Sequence, residues 1–181
     1  MVSTERLHMA SFKELARVGL ERSDINIIVN SHRHFDHCGN DALFPGATIL
    51  AQHEELATAR RRGTRYTVAQ WFDYDAPTIQ PVRGDLELCK GVAVLATPGH
   101  TPGHQSVLVY RRGTRTLIAA QAAFNAQEFT RGGDPDTQAY DGLQHEYSES
   151  IGRLKSFGAQ EVYFSHSRML ACAQPTPRLG R

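Results

Sequence analysis

Ile25, Ile27, Ile28 and Val29 form a short apolar run that stops at Ser31-His32-Arg33-His34-Phe35-Asp36-His37, a segment spaced His-x-His-x-Asp-His. No other feature constrains the fold as much. A short apolar run bounded by polar residues reads as a buried strand, and four ionisable groups gathered at its end need a common partner. In an extended segment His32, His34 and Asp36 point to one side, and His37 is turned back by the start of a helix. The four side chains can then serve two adjacent metal ions. Imidazole and carboxylate suit zinc, with iron, cobalt or manganese as other occupants.

The rest of the chain repeats this pattern of a strand ending in histidine. Ser11-Phe12-Lys13-Glu14 has the form of a capping box and predicts a short helix reaching Gly19. Asp24 to Val29 is predicted as the first strand, Thr48 to Ala51 as the next, and His53 to Arg61 as a helix. A hairpin centred on Arg83-Gly84-Asp85 leads into a strand at Val92 to Ala96. That strand ends in Thr97-Pro98-Gly99-His100-Thr101-Pro102-Gly103-His104, where Pro and Gly forbid helix and demand a tight loop. Gln105 to Tyr110 and Thr116 to Ala120 pair across Arg112-Gly113. Residues 125 to 143, rich in Gly and Asp, read as a loop. A helix from Glu146 to Phe157 aligns Tyr147, Ile151 and Leu154 on one face, and a last strand, Glu161 to Ser165, delivers His166. Residues 175–181 read as a frayed tail.

Composition excludes several classes. The 181 residues suit one domain spanning 1–181. With 20 Lys+Arg against 19 Asp+Glu the net charge is +1, too little field for nucleic acid or an anionic membrane surface. No apolar run approaches the ~20 residues of a membrane span, and no signal-peptide pattern is present. Cys38, Cys89 and Cys172 lack paired spacing, as expected of a reducing cytoplasm. A small-molecule substrate is the expected partner. Tyr66, Trp71, Phe72 and Tyr74 are candidates for a pocket wall or for ordinary core.

The wording His34-Phe35-Asp36-His37, the doubled Pro-Gly-His motif running on to Gln105-Ser106, and the spacing to His166 resemble the metallo-β-lactamase-fold superfamily. Within it they most resemble the N-acyl homoserine lactonase branch, from about Phe12 to His166. The resemblance implies an α/β fold, the αββα sandwich, and two divalent ions, zinc foremost. His32, His34 and His100 would bind one ion, and Asp36, His37 and His166 the other. It also implies a hydrolase of small esters or lactones in which metal-bound hydroxide attacks a carbonyl. Asp36 would double as the catalytic proton carrier. His104 is expected to hold its loop by a hydrogen bond rather than to ligate.

Three departures qualify this reading. Gln121 stands where the family has an aspartate bridging both ions, so at least one ion should bind more weakly; Gln121 either ligates weakly through its amide oxygen or is an inert replacement. Phe124, in the expected substrate pocket, stands where lactonases carry a tyrosine, and Tyr140 or Tyr147 would have to supply the missing hydroxyl. Only 31 residues precede His32, so the sandwich is expected to be N-terminally shortened: a fragment, an internal-start version, or a sheet edge covered in a homo-oligomer. The alternative to a hydrolase is a non-catalytic or weakly active relative that retains a metal or ligand site.

Overall fold

The computed structural model describes residues 13–61, 66–68, 77–167 and 171–172. After a helical stretch at residues 13–17 (α1), strands β1 (Ile27–Val29), β2 (Thr48–Gln52) and β3 (Thr78–Val82) form a parallel three-stranded sheet in that order. Parallel neighbours need crossovers. The first carries α2 (Phe35–Cys38) and a 3-10 turn at Asp41–Leu43, and the second carries α3 (His53–Ala59), which lies against β2 and β3.

The second sheet has six strands adjacent in chain order: β4 (Leu86–Cys89), β5 (Val92–Ala96), β6 (Gln105–Arg111), β7 (Thr114–Ala120), β8 (Glu161–Phe164) and β9 (Ala171–Cys172). β4 to β7 form an antiparallel meander, whereas β7 and β8 run parallel. The β7–β8 crossover contains α4 (Ala126–Arg131), α5 (Pro135–Gln138) and α6 (Gln144–Ser156). The β6–β7 turn has two central residues, Arg112 and Gly113, both at positive φ, the backbone that matches strand twist in a two-residue hairpin.

Apolar periodicity assigns the layers. Tyr147, Ile151 and Leu154 recur on one face of α6 and pack with Leu95, Leu117, Ala119, Val162 and Phe164 of the second sheet. With α3 on the first sheet and α6 on the second, the order is helix, sheet, sheet, helix. Gln105 stitches the sheets together. Fully buried at the start of β6, it donates through Nε2 to the carbonyls of Asn30 (2.7 Å) and Leu50 (2.9 Å), and its Oε1 accepts from Gln52 (2.9 Å).

Four expectations need correction. Arg83-Gly84-Asp85 is no hairpin, because β3 and β4 belong to different sheets. The turn is a crossing between layers, pinned by the Gln52 amide, which donates to the Gly84 carbonyl (2.8 Å) and accepts from its N–H (3.0 Å). The hairpin is instead β4–β5. Residues 125 to 143 are not a plain loop: Asn125 caps α4 by accepting from the Glu128 N–H at 2.9 Å, and Pro135 opens α5. Asp24 closes a 3-10 turn rather than opening β1. Asp36 lies on α2, not in an extended segment. Phe12, Trp71, Phe72, Tyr74 and the tail from 175 lie outside the described residues. Among those described, no helix is long and apolar enough to cross a membrane.

Ile151 is fully buried, whereas Ile118 is 44% exposed. Ile151→Ala is therefore expected to cost about 2–5 kcal/mol in urea unfolding, and Ile118→Ala under about 1 kcal/mol.

Candidate metal centre

The meander's register fixes where the ligands go. β5 ends where β6 begins, the start of β6 pairs with the end of β7 (Val107 with Ile118), and β7 runs parallel to β8. The loops bearing His100, Gln121 and His166 therefore emerge from one sheet edge. Gln105 brings the end of β1 to the same edge, its N–H donating to the Ser31 carbonyl at 2.8 Å. The Ser165 N–H donates to the Ala120 carbonyl (3.0 Å) and holds Gln121 and His166 side by side. Ala120 adopts φ +53° at a register shift in β7, a strained backbone for a residue with a Cβ, of the kind concentrated at functional sites.

The two glycines of the doubled motif serve close approach. A Cβ on Gly99 (φ +145°) would overlap the backbone of Tyr147 in α6, and one on Gly103 would overlap the backbone of Glu55 in α3. Each Pro-Gly-His unit is thus pressed against a helix.

Two groups of potential ligands result, each with ligand atoms within 4.8 Å of one another: His32, His34 and His100; and Asp36, His37 and His166. All six predicted ligands are brought together. The groups are adjacent, the rings of His32 and His37 lying 4.1 Å apart between centroids. In the second group His37 Nε2 lies 3.3 Å from Asp36 Oδ2 and 3.2 Å from His166 Nε2, and His166 Nε2 lies 3.1 Å from Gln121 Oε1. The Gln121 amide oxygen is therefore a neighbour of the second set. Phe124 stacks on His166, rings 5.1 Å apart and 12° from parallel.

A family model of the Metallo-beta-lactamase superfamily matches residues 2–166. The chain belongs to the metallo-β-lactamase superfamily. It is 31% identical over 159 residues to an N-acyl homoserine lactonase of Bacillus thuringiensis, covering 84% of this chain and 60% of that protein. It is 35% identical over 125 residues to the human Metallo-beta-lactamase domain-containing protein 1, covering 68% and 40%. The chain thus spans about 60% of the length of the curated lactonases it matches. An N-acyl homoserine lactone hydrolase solved with the product N-hexanoyl-L-homoserine at its catalytic metal centre superposes with a TM-score of 0.69 at 29% identity, covering 81% of this chain and 56% of that one. A probable metal-dependent hydrolase from Staphylococcus aureus, 17% identical, shares the fold with a TM-score of 0.68, covering 84% and 58%.

The residues present fit a superfamily metal site on their own chemistry. His100 Nδ1 donates to the Gln138 carbonyl at 2.9 Å, which leaves Nε2 as a bare lone pair. That atom and His32 Nε2 are buried with no hydrogen-bond partner, a costly state that a cation relieves. Burial first, then neighbouring imidazoles, holds His32 well below its ordinary pKa. Burial and His100 lower His34 to about 4, and burial lowers His100 to about 4. His37 is lowered too, chiefly by burial. Neutral rings are the ligand form.

His104, in contrast, has both nitrogens engaged. Nε2 accepts from the Gln121 N–H (3.2 Å), so Nδ1 carries the proton, 2.8 Å from Thr97 Oγ1 and 3.2 Å from the Thr97 carbonyl. It holds β7 to the His100 loop, as expected, and has no lone pair for an ion. Cys38 is a buried filler whose thiol is pushed up to about 12 by burial. Tyr147 is unavailable to a substrate, being buried with its hydroxyl donating to Glu128.

Several residues passed unnoticed in the sequence. Arg33, between two ligands, is fully buried and pairs with Asp41 (2.6 Å) and Asn30 (2.8 Å), while Asn30 also donates to Asp41 (3.0 Å). Sequence offered only a weak signal: a charged residue in an apolar-bounded loop reads as solvated.

The imidazole pKa values set a pH dependence. In the unfolded chain His34 and His100 take up protons near 6.5, but in the folded chain only near 4, so the stability they confer is complete above pH 6.5 and lost as pH falls toward 4. Metal-free protein is expected to lose urea resistance from pH 7 to 4.5, and a His34→Asn, His100→Asn double variant to lose less. Equal slopes for the two proteins would contradict this.

Proposed function

We propose that the chain is a metal-dependent hydrolase of small esters or lactones, of the N-acyl homoserine lactone type, using two divalent ions with zinc foremost. The observation that carries this reading is the pair of buried, unpartnered Nε2 atoms on His32 and His100, the second of these residues bordering an open cavity. That cavity, about 500 Å³, is lined by both His34 and His100, with Thr58, Tyr66, Thr137 and Tyr140 among its walls. A volume of this order suits a small organic substrate. The similarity to lactonases supports the substrate class.

Bound divalent ions would supply Lewis acidity and lower the pKa of water toward about 7. The chain's residues supply the rest. His34 and His100 border the cavity, so a substrate carbonyl entering it meets the first ligand set. Asp36, its side chain 42% exposed and 3.3 Å from His37, is the carboxylate that would pass a proton to the leaving alkoxide. Of Tyr140 and Tyr147, Tyr140 lines the cavity and is the one that can offer its hydroxyl to a carbonyl oxygen there, since Tyr147 is committed to Glu128. At least one ion is held less firmly than a bridging carboxylate would hold it, because Gln121 is neutral and leaves Asp36 as the one carboxylate among the ligands.

Gln121 and Phe124 also favour a second reading, a weakly active relative. An amide oxygen offers no charge at the second set, and the Phe124 ring on His166 carries no hydroxyl for the substrate. Zinc-loaded protein assayed on N-hexanoyl homoserine lactone and simple aryl esters is expected to turn over, to stop on chelation, and to lose at least about 100-fold in His32→Ala. Gln121→Asp and Phe124→Tyr should each raise the lactone rate. Activity confined to Gln121→Asp would establish the second reading, and inactivity of both proteins on both substrates would overturn the hydrolase.

A further inference from the structure

Glu55 is a buried carboxylate in α3 that belongs to neither ligand set and yet touches both loops that build the first one. Its Oε1 accepts the Arg33 N–H at 2.7 Å, on the peptide between His32 and His34. Its Oε2 accepts from Thr101 Oγ1 at 2.5 Å and from the Gly103 N–H at 3.2 Å, in the loop that carries His100. Three donors converge on two oxygens and favour the carboxylate, opposing burial, which pushes the Glu55 pKa up. Gly103 makes it possible, since any Cβ there would overlap Glu55's own backbone.

We propose that Glu55 is a positioning residue for the metal centre: one buried carboxylate clamps the His32–His34 loop to the His100 loop and fixes the spacing of the three imidazoles. This rests on the reading of His32, His34 and His100 as ligands. The two loops lie about seventy positions apart in sequence and come from different sheets, and Glu55 ties them together at the ligands themselves, beyond the Gln105 contacts that bring the end of β1 to the start of β6. Arg33, whose N–H meets Oε1, also pairs with Asp41 at 2.6 Å, so the clamp is continuous with the buried polar cluster beneath the His32–His34 loop. Glu55 also borders the cavity with His34 and His100, so the clamp forms part of the wall a substrate meets.

The test uses the full chain, stripped of metal and titrated with zinc against a chelating dye, with Co(II) absorption as the geometric readout. Glu55→Gln keeps the shape and removes the charge and one acceptor. It is expected to weaken zinc binding at the tight site by about 10–100-fold, the range for groups that orient ligands, and to shift the Co(II) bands. Thr101→Val removes one donor, leaves the carboxylate, and should lose several-fold with a smaller shift; it is the variant to read if Glu55→Gln does not fold. Unchanged affinity and an unchanged Co(II) spectrum in either folded variant would overturn the clamp, whatever happens to thermal stability. Failure of the unsubstituted chain to bind zinc would instead overturn the ligand assignment beneath it.

Discussion

Five imidazoles, those of His32, His34, His37, His100 and His104, crowd one sheet edge with neighbouring ring centroids 4.1–6.2 Å apart. Such a cluster can be buried only while its rings are neutral, because protonating several would place like charges in contact without water. Neutral rings in turn present lone pairs that need partners. Hydrogen bonds satisfy some of these: His104 spends both nitrogens on protein, and His100 spends one on Gln138. The ring nitrogens that remain without a partner, Nε2 of His32 and of His100, are the physical reason for reading this edge as a metal site. The sheets, the glycines of the doubled motif and the buried Arg33–Asp41 pair all serve to hold those rings together.

The position after β7 places a neutral side chain at the second ligand set. Ala120 has a strained backbone, the Gln121 N–H reaches His104, and the Gln121 amide lies against His166. An amide can accept one ion's attraction weakly, whereas a carboxylate would offset part of the charge of two. The ligand sets are therefore chemically unequal: one is buried and all imidazole, the other more exposed and reliant on Asp36.

Much of this was legible in the sequence because the informative features are local. A strand followed by closely spaced histidines gives both an element and its chemistry, and α6 announces itself through Tyr147, Ile151 and Leu154. What was not legible depended on distant contacts. The turn at Arg83-Gly84-Asp85 has the composition of a hairpin, and its role as a crossing between sheets is decided by Gln52, about thirty positions earlier. Glu55 reads as an ordinary polar helix residue until two loops close on it. The helices in residues 125 to 143 were missed for another reason: Asn125 with Glu128 and Pro135 are good start signals, but abundant Gly and Asp outweighed them. Phe124, expected in a substrate pocket, lies against His166 and is not among the residues lining the cavity beside His34 and His100.

Elemental analysis of protein purified without added metal, carried out in parallel on a folded His32→Ala variant, tests the central claim most directly. The account predicts at least about one equivalent of a divalent transition metal per chain in the unsubstituted protein and a lower content in the variant, since the first set provides three protein ligands. Near-zero metal in folded protein, or a metal content unchanged by His32→Ala, would contradict it.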